Sequence, residues 1–248
     1  MYLGKIIKKY IIPVSVVYII WWIAAICINR PVLPVPNDAF VEFIKRLPVL
    51  WKHIILSLYR IVSAMGMALA IGVPMGLIMG YNKTMDEIIS PVIYLFHPVP
   101  KIAFLPVVMI LFGLGDFAKI FTISIIIFFL ILITVRDSVK NIDKQIYYSL
   151  ISMGADSFQI YRHVAIPAAL PAVFTMLRLC IGTAIAVLFF TETFATDYGI
   201  GYYIVDAWAR VAYKEMFAGI IALSAIGLVL YGIVDLFEKY ICRWKVAG

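Results

Sequence analysis

The chain has 248 residues, 64% of them hydrophobic and only 14% charged, with a formal net charge of +7 and a mean hydropathy of +1.02. Soluble domains are about 45–50% apolar and about 25% charged, so a water-soluble globule is excluded and the chain must use lipid as part of its solvent. The 21 Lys and Arg sit in short clusters between apolar runs. That spacing excludes a nucleic-acid partner and matches the orientation signals of a polytopic membrane protein.

Taken in chain order, the first apolar run follows Lys5, Lys8 and Lys9 and predicts a span over Ile7 to Ile28. It is too long for a secretory signal core and ends in Asn29-Arg30-Pro31 without a small-x-small cleavage site, so it reads as a retained helix. Residues 32–52 read as an external loop followed by a short amphipathic helix, with Phe40, Phe43, Ile44 and Leu47 on one face, lying along the membrane interface. The second span, about Ile54 to Gly80, carries Gly72, Gly76 and Gly80 at small-x-x-x-small spacing, which permits close helix approach. The third, about Ile88 to Phe112, is broken by Pro91, Pro98, Pro100 and Pro106. A break of that kind survives in lipid only where protein or a watery cavity satisfies the freed carbonyls. Phe117 to Val135, Ala168 to Phe190 and Met216 to Phe237 complete six spans. The expected division is an N-terminal helix over 1–31, the external segment 32–52 and a core of five spans over 53–244.

Six spans put both termini on one side. With the N-terminus inside, cytoplasmic segments hold Lys83, Arg136, Lys140, Lys144, Arg162, Lys239, Arg243 and Lys245 besides the three N-terminal lysines. The outer segments hold Arg30, Lys45, Arg46, Lys52, Lys119, Arg210 and Lys214. The excess inside favours cytoplasmic N- and C-termini in the cell (plasma or inner) membrane. Cys27, Cys180 and Cys242 are far apart and indicate neither a disulfide framework nor a metal site. The five tryptophans, Trp21, Trp22, Trp51, Trp208 and Trp244, fall at or near span ends, Trp21 and Trp22 lying deeper, and interfacial anchoring is their default reading.

One cytoplasmic stretch, 137–167, is too long and too organised for a connector. Ile146, Leu150 and Met153 share a helical face, Gly154 supplies a turn at positive φ, and Asp156 or Ser157 caps a second short helix. Two short helices meeting at a glycine, basic and partly apolar, suit docking into a groove on a soluble partner. The segment also resembles the cytoplasmic loop of ABC importer permeases, whose pattern is Glu-Ala-Ala, three residues, Gly, nine residues, Ile-x-Leu-Pro. Gly154 is followed by nine residues and then Val164-Ala165-Ile166-Pro167 in register. Tyr148-Ser149-Leu150 replace Glu-Ala-Ala, so no role of that family glutamate transfers. Leu33-Pro-Val-Pro36, Pro98-Val-Pro100-Lys101-Ile-Ala-Phe-Leu-Pro106, Leu111-Phe-Gly-Leu-Gly115, Pro167-Ala-Ala-Leu-Pro171, Leu177-Arg178, Glu192 and Tyr198-Gly-Ile-Gly201 together are similar to the nitrate/sulfonate/taurine-type permeases over roughly residues 32–244.

The resemblance implies an all-α, six-helix type I ABC importer permease. Two copies would form the pathway, an ATP-binding cassette ATPase dimer would dock on Tyr148, Ser149, Leu150, Gly154, Ala155, Asp156, Val164, Ile166 and Pro167, and an extracytoplasmic solute-binding protein would deliver a small anionic or zwitterionic solute. The chain has no Gly-x-x-x-x-Gly-Lys-Ser/Thr loop, so ATP and magnesium would be bound by the partner, and neither a catalytic nor a metal site is expected in this chain. Charges within spans are costly and face a cavity or a partner. Lys101 reads either as a pathway cation or as an interfacial lysine, Arg178 as a structural ion pair or carbonyl clamp rather than a ligand, and Glu192 as a pathway acid or a brace for the Gly199–Gly201 turn. His97 reads as packed and hydrogen-bonded. A proton-coupled secondary transporter is the alternative, using Glu192, Asp197 or His97; it would need internal repeats and midplane acids, which the sequence does not present. A membrane enzyme lacks any supporting motif.

Overall fold

The computed structural model describes residues 12–245. The described residues are helical, with no strand. In chain order the helices are α1 (Ile12–Ile28), α2 (Pro36–Tyr81), α3 (Lys83–Phe96), a 3-10 turn (Lys101–Phe104), α4 (Leu105–Phe112), α5 (Asp116–Lys140), α6 (Lys144–Ser152), α7 (Ser157–Ile160), a π-helical turn (Tyr161–Ala165), α8 (Ile166–Glu192), α9 (Ile200–Ala209), α10 (Tyr213–Ile241) and a last 3-10 turn (Arg243–Lys245).

Among the described residues four helices are long and apolar enough to cross a membrane: α2, α5, α10 and the continuous stretch Phe158–Glu192 that ends in α8. The pair Lys83–Phe96 and Lys101–Phe112 makes a fifth, bent by 77°. This is the proline-broken third span expected from sequence. The first expected span is α1, of 17 described residues; positions 7–11 of that span, with Lys5, Lys8 and Lys9, lie outside the described residues. Residues 36–52 are not a separate amphipathic helix. They run without a break into the second span as one helix of 46 residues, Pro36–Tyr81, although a span needs only about 20. The sequence boundary near Lys52 and His53 is a change of polarity, which marks where water ends. Helices end at caps, glycines and hydrogen-bond loss, and none of these intervenes there.

The chain divides into two compact units. The first holds α1, the part of α2 up to Leu56, α9 and the part of α10 up to Ala225. Trp21 is its pin. Its indole stacks on Phe217 at 5.4 Å, and its Nε1 donates to the Pro34 carbonyl at 3.0 Å, so this half-buried tryptophan packs α1 against α10. Asp38 pairs with Lys214 at 2.7 Å, and Glu215 accepts from Arg46 at 2.6 Å. Gly219 lets α10 touch α9, since a Cβ there would lie 2.7 Å from Ile204 Cγ1.

The second unit covers Ser57–Thr196 and the chain from Ile226 on, and α5 is its axis. Ile123, Ile127, Ile131 and Leu132 on α5 are buried; α8 packs extensively along α5, and α2 presses its glycine stripe onto the same helix. A Cβ at Gly76 would lie 2.8 Å from the Leu132 carbonyl, and one at Gly80 would lie 2.6 Å from Val139 Cβ. Gly72 faces Ile131 and Phe128 on the same ridge. The stripe read in the sequence is therefore a backbone-to-backbone contact.

The contact makes a paired prediction. Gly76→Leu should destabilise the detergent-solubilised protein by about 1–3 kcal/mol, the usual cost of overpacking. Gly66→Ala, on the same helix with no heavy atom within 4 Å of the added Cβ, should be neutral or stabilising by up to about 1 kcal/mol. Thermal unfolding of both variants checks the contrast.

Candidate functional site

The segment around Gly154 is built by local hydrogen bonding. Asp143 starts α6 by accepting from the Gln145 N–H at 2.9 Å. The helix closes in a Schellman motif: the Gly154 N–H donates to the Ile151 carbonyl at 2.9 Å and the Ala155 N–H to the Leu150 carbonyl at 3.0 Å. Gly154 has φ +82°, the left-handed conformation in which a Cβ is penalised. A reciprocal capping box opens the next helix. Asp156 Oδ1 accepts from the Gln159 N–H at 2.7 Å, while Gln159 Oε1 accepts from the Asp156 N–H at 3.0 Å.

The second short helix does not stop at Pro167. It passes through the π-helical turn Tyr161–Ala165 straight into α8, because one wider turn absorbs the carbonyl that proline would otherwise crowd. Val164, Ile166 and Pro167 thus belong to one continuous helical stretch, Phe158–Glu192, that leads from Gly154's neighbourhood into α8. Tyr148, Ile151 and Phe158 are exposed, as is Met153, at 81%. Leu150, Ala155, Gln159, Ile160 and His163 line a groove of about 270 Å³ between the two short helices.

At the root of this segment an ion cluster fixes α3 to the end of α5. Asp86 accepts from Arg136 and Lys140 and from Ser90 at 2.7 Å. Arg136 also donates to Tyr94 Oη at 3.0 Å and to Asp137 at 3.1 Å. In the sequence Arg136 and Lys140 read only as orientation charges, and Asp86 belongs to no motif; Asp86 and Ser90 one helical turn apart are the available signal.

Toward the other end of α5 a second cluster is buried. Glu192, fully buried, accepts from Ser57 Oγ at 2.7 and 2.9 Å and from Arg60 Nη1 at 2.7 Å. Arg60, 2% exposed, turns its Nε and Nη2 to Asp116 at 2.8 and 2.6 Å. The guanidinium thereby ties α2, α5 and α8 at one point, using the planar fork that suits Arg to two carboxylates. In the sequence Arg60 is only a cation inside a span, and its partners, 56 and 132 residues away, leave no local sign.

The remaining sequence candidates have distinct placements. Lys101 Nζ donates to the carbonyls of Phe96 at 2.9 Å and His97 at 3.0 Å and lies 4.6 Å from the Phe129 ring centroid. It caps the carbonyl end of α3 where Pro98 and Pro100 stop the helix. Arg178 pairs with Glu238 and lies 3.8 Å from Asp235, so it braces α8 against α10. His97 is exposed rather than packed, since the bend carries it past the end of α3. His53 occupies the turn that Glu192 could have braced: its Nδ1 lies 3.1 Å from Gly199 N and 3.0 Å from Gly199 O. Arg210, in the turn before α10, is held above its ordinary pKa by its bond to Asp206 and then by Glu215. Among the described residues no cluster of His, Cys, Asp and Glu is arranged to hold a metal.

Removing Arg60 should leave a fully buried carboxylate without its guanidinium. Arg60→Ala is expected to cost about 3–5 kcal/mol of stability, and the double variant Arg60→Met, Glu192→Leu markedly less than the two single losses combined. Denaturant unfolding in micelles measures both.

Comparison with known proteins follows the same architecture. Residues 72–243 match the family model of the binding-protein-dependent transport system inner membrane component. The chain is 30% identical over 239 residues to the taurine transport system permease protein of Escherichia coli, covering 93% of this chain and 87% of that one. It is 31% identical over 245 residues to a putative ABC transporter permease of Methanocaldococcus jannaschii (95% and 91%). A putative aliphatic sulfonates transport permease of Bacillus subtilis is 27% identical over 221 residues (88% and 80%). Among solved structures, an inward-facing MetNI methionine ABC transporter chain superimposes with a TM-score of 0.65 at 19% identity, covering 79% of this chain and 98% of that one.

Proposed function

Because the chain belongs to the family of binding-protein-dependent transport system inner membrane components, a multi-pass, non-catalytic permease of an ABC importer whose ATPase is a separate subunit, we propose that its Gly154 segment is the element through which that ATPase drives it. Family membership replaces the secondary-transporter alternative. The observation that carries the coupling reading is the Schellman turn at Gly154: it sets two short helices against each other, leaves Tyr148, Ile151, Met153 and Phe158 exposed, and continues through Pro167 into α8 without a hinge. An apolar, capped, rigid element suits a groove on a soluble partner. A push on it is transmitted along α8 to Glu192 and Arg60.

In this reading the segment and both termini are cytoplasmic, two copies of the chain form the pathway, and a solute-binding protein delivers substrate on the opposite side. The substrate is a small anionic or zwitterionic solute of the sulfonate class, supported by the taurine and aliphatic sulfonate permeases among the relatives. Lys101, Arg178 and Glu192 remain proposed pathway residues; the contacts of Lys101 with carbonyls, of Arg178 with Glu238 and of Glu192 with Ser57 and Arg60 support a role in holding the pathway's walls.

In vesicles containing the full complex, Gly154→Asp and Pro167→Arg should abolish ATP-dependent taurine uptake while the permease remains inserted at normal levels. Normal uptake by both variants would remove the segment from coupling. Wild-type uptake of a panel of small sulfonates and neutral analogues tests the substrate class separately.

A further inference from the structure

Lys119 lies on α5 one turn beyond Asp116, and at 1% exposure it is as buried as any charged group in the unit save Glu192. It lies within electrostatic range of Arg60, Asp116 and Glu192, yet it forms no ion pair with either carboxylate among the described residues. Those carboxylates are already engaged: Arg60 turns three nitrogens to them, and Ser57 adds two contacts to Glu192. Lys119 Nζ has three protons to donate, and its acceptor among the described residues is the Leu114 carbonyl at a long 3.3 Å.

A buried ammonium with one weak acceptor is costly, and proteins do not retain it for stability. Its acceptor sits in the turn between α4 and α5, which holds two glycines. Gly113 has φ +82°, and nothing lies within 4 Å of where a Cβ would stand at Gly113 or Gly115. A shift of this turn would withdraw the Leu114 carbonyl from Lys119. We propose that Lys119 is the cation that receives the negatively charged group of the solute, an oxyanion of the sulfonate class, when the Gly113–Gly115 turn moves aside. This rests on the pathway reading above and supplies its missing charge. Lys101 is a poorer candidate, because three carbonyls already take its donors.

The test uses the permease with its ATPase and binding protein in liposomes. Lys119→Gln and Lys119→Met should reduce taurine uptake about tenfold or more, the weight of one charge-assisted hydrogen bond, while ATP hydrolysis stimulated by the binding protein persists; Lys119→Arg should recover most of the uptake. The thermal midpoint of Lys119→Met should rise, since an unsatisfied buried charge is removed. A fall in that midpoint, or unchanged uptake by Lys119→Met, would make Lys119 a structural residue. A second arm needs no knowledge of the substrate. Lys119→Cys, with Cys27, Cys180 and Cys242 replaced by serine, should react with a sulfonate-bearing methanethiosulfonate in one nucleotide state of the complex. Failure to react in every nucleotide state overturns the assignment. Reaction of the introduced thiol without taurine uptake by the wild type would instead leave the site standing and refute the sulfonate class.

Discussion

In hydrocarbon no water answers a backbone group that a helix break releases, so every interruption must be satisfied by protein. Three interruptions in this chain are closed in three ways. At the bend between α3 and α4, Lys101 reaches back to the carbonyls of Phe96 and His97. At Pro167 the backbone widens into a π turn and keeps its hydrogen bonds. Before α9, the His53 ring meets the backbone of Gly199. The broken third span, the rod from the Gly154 segment into α8, and the start of α9 all exist because these released groups find partners nearby.

The same constraint explains where charges sit. Each ion cluster joins different helices of the second unit. Asp86 with Arg136 and Lys140 locks one end of the unit, Arg60 with Asp116 and Glu192 locks the other, and Arg178 with Glu238 ties α8 to α10. Breaking a buried pair costs more than forming it contributes, so removing one member of such a pair destabilises the packing of the helices it joins. Under the proposed coupling, movement passed along α8 would reach a defined point at Glu192, where α8 ends. Lys119 stands out against this background as the buried cation next to a closed network.

Much of this was legible locally. Gly154, Asp156 and the spacing to Pro167 announce a turn and a cap, and the structure has both, because Schellman and capping-box bonds join residues at most five apart. The four prolines of 91–106 announce the bent span. The amphipathic stretch before Leu56 reads as a separate helix because hydropathy reports water, whereas helix continuity reports backbone bonding. His97 reads as packed but is exposed, since a residue's surroundings depend on what folds against it.

Composition, apolar run length, glycine and proline placement and the order of motifs by themselves determined that the chain is a multi-pass helical protein, where its helices break, and which segment projects as a capped turn. Each of these follows from interactions within a few residues or from transfer between water and lipid. Only the tertiary structure decided which charges meet. Arg60 and Glu192 are 132 residues apart, Asp86 and Arg136 are 50 apart, and the pairing of ions on different helices leaves no periodic trace in the chain, because it depends on how helices are turned about their axes once their small-residue and apolar faces have been packed.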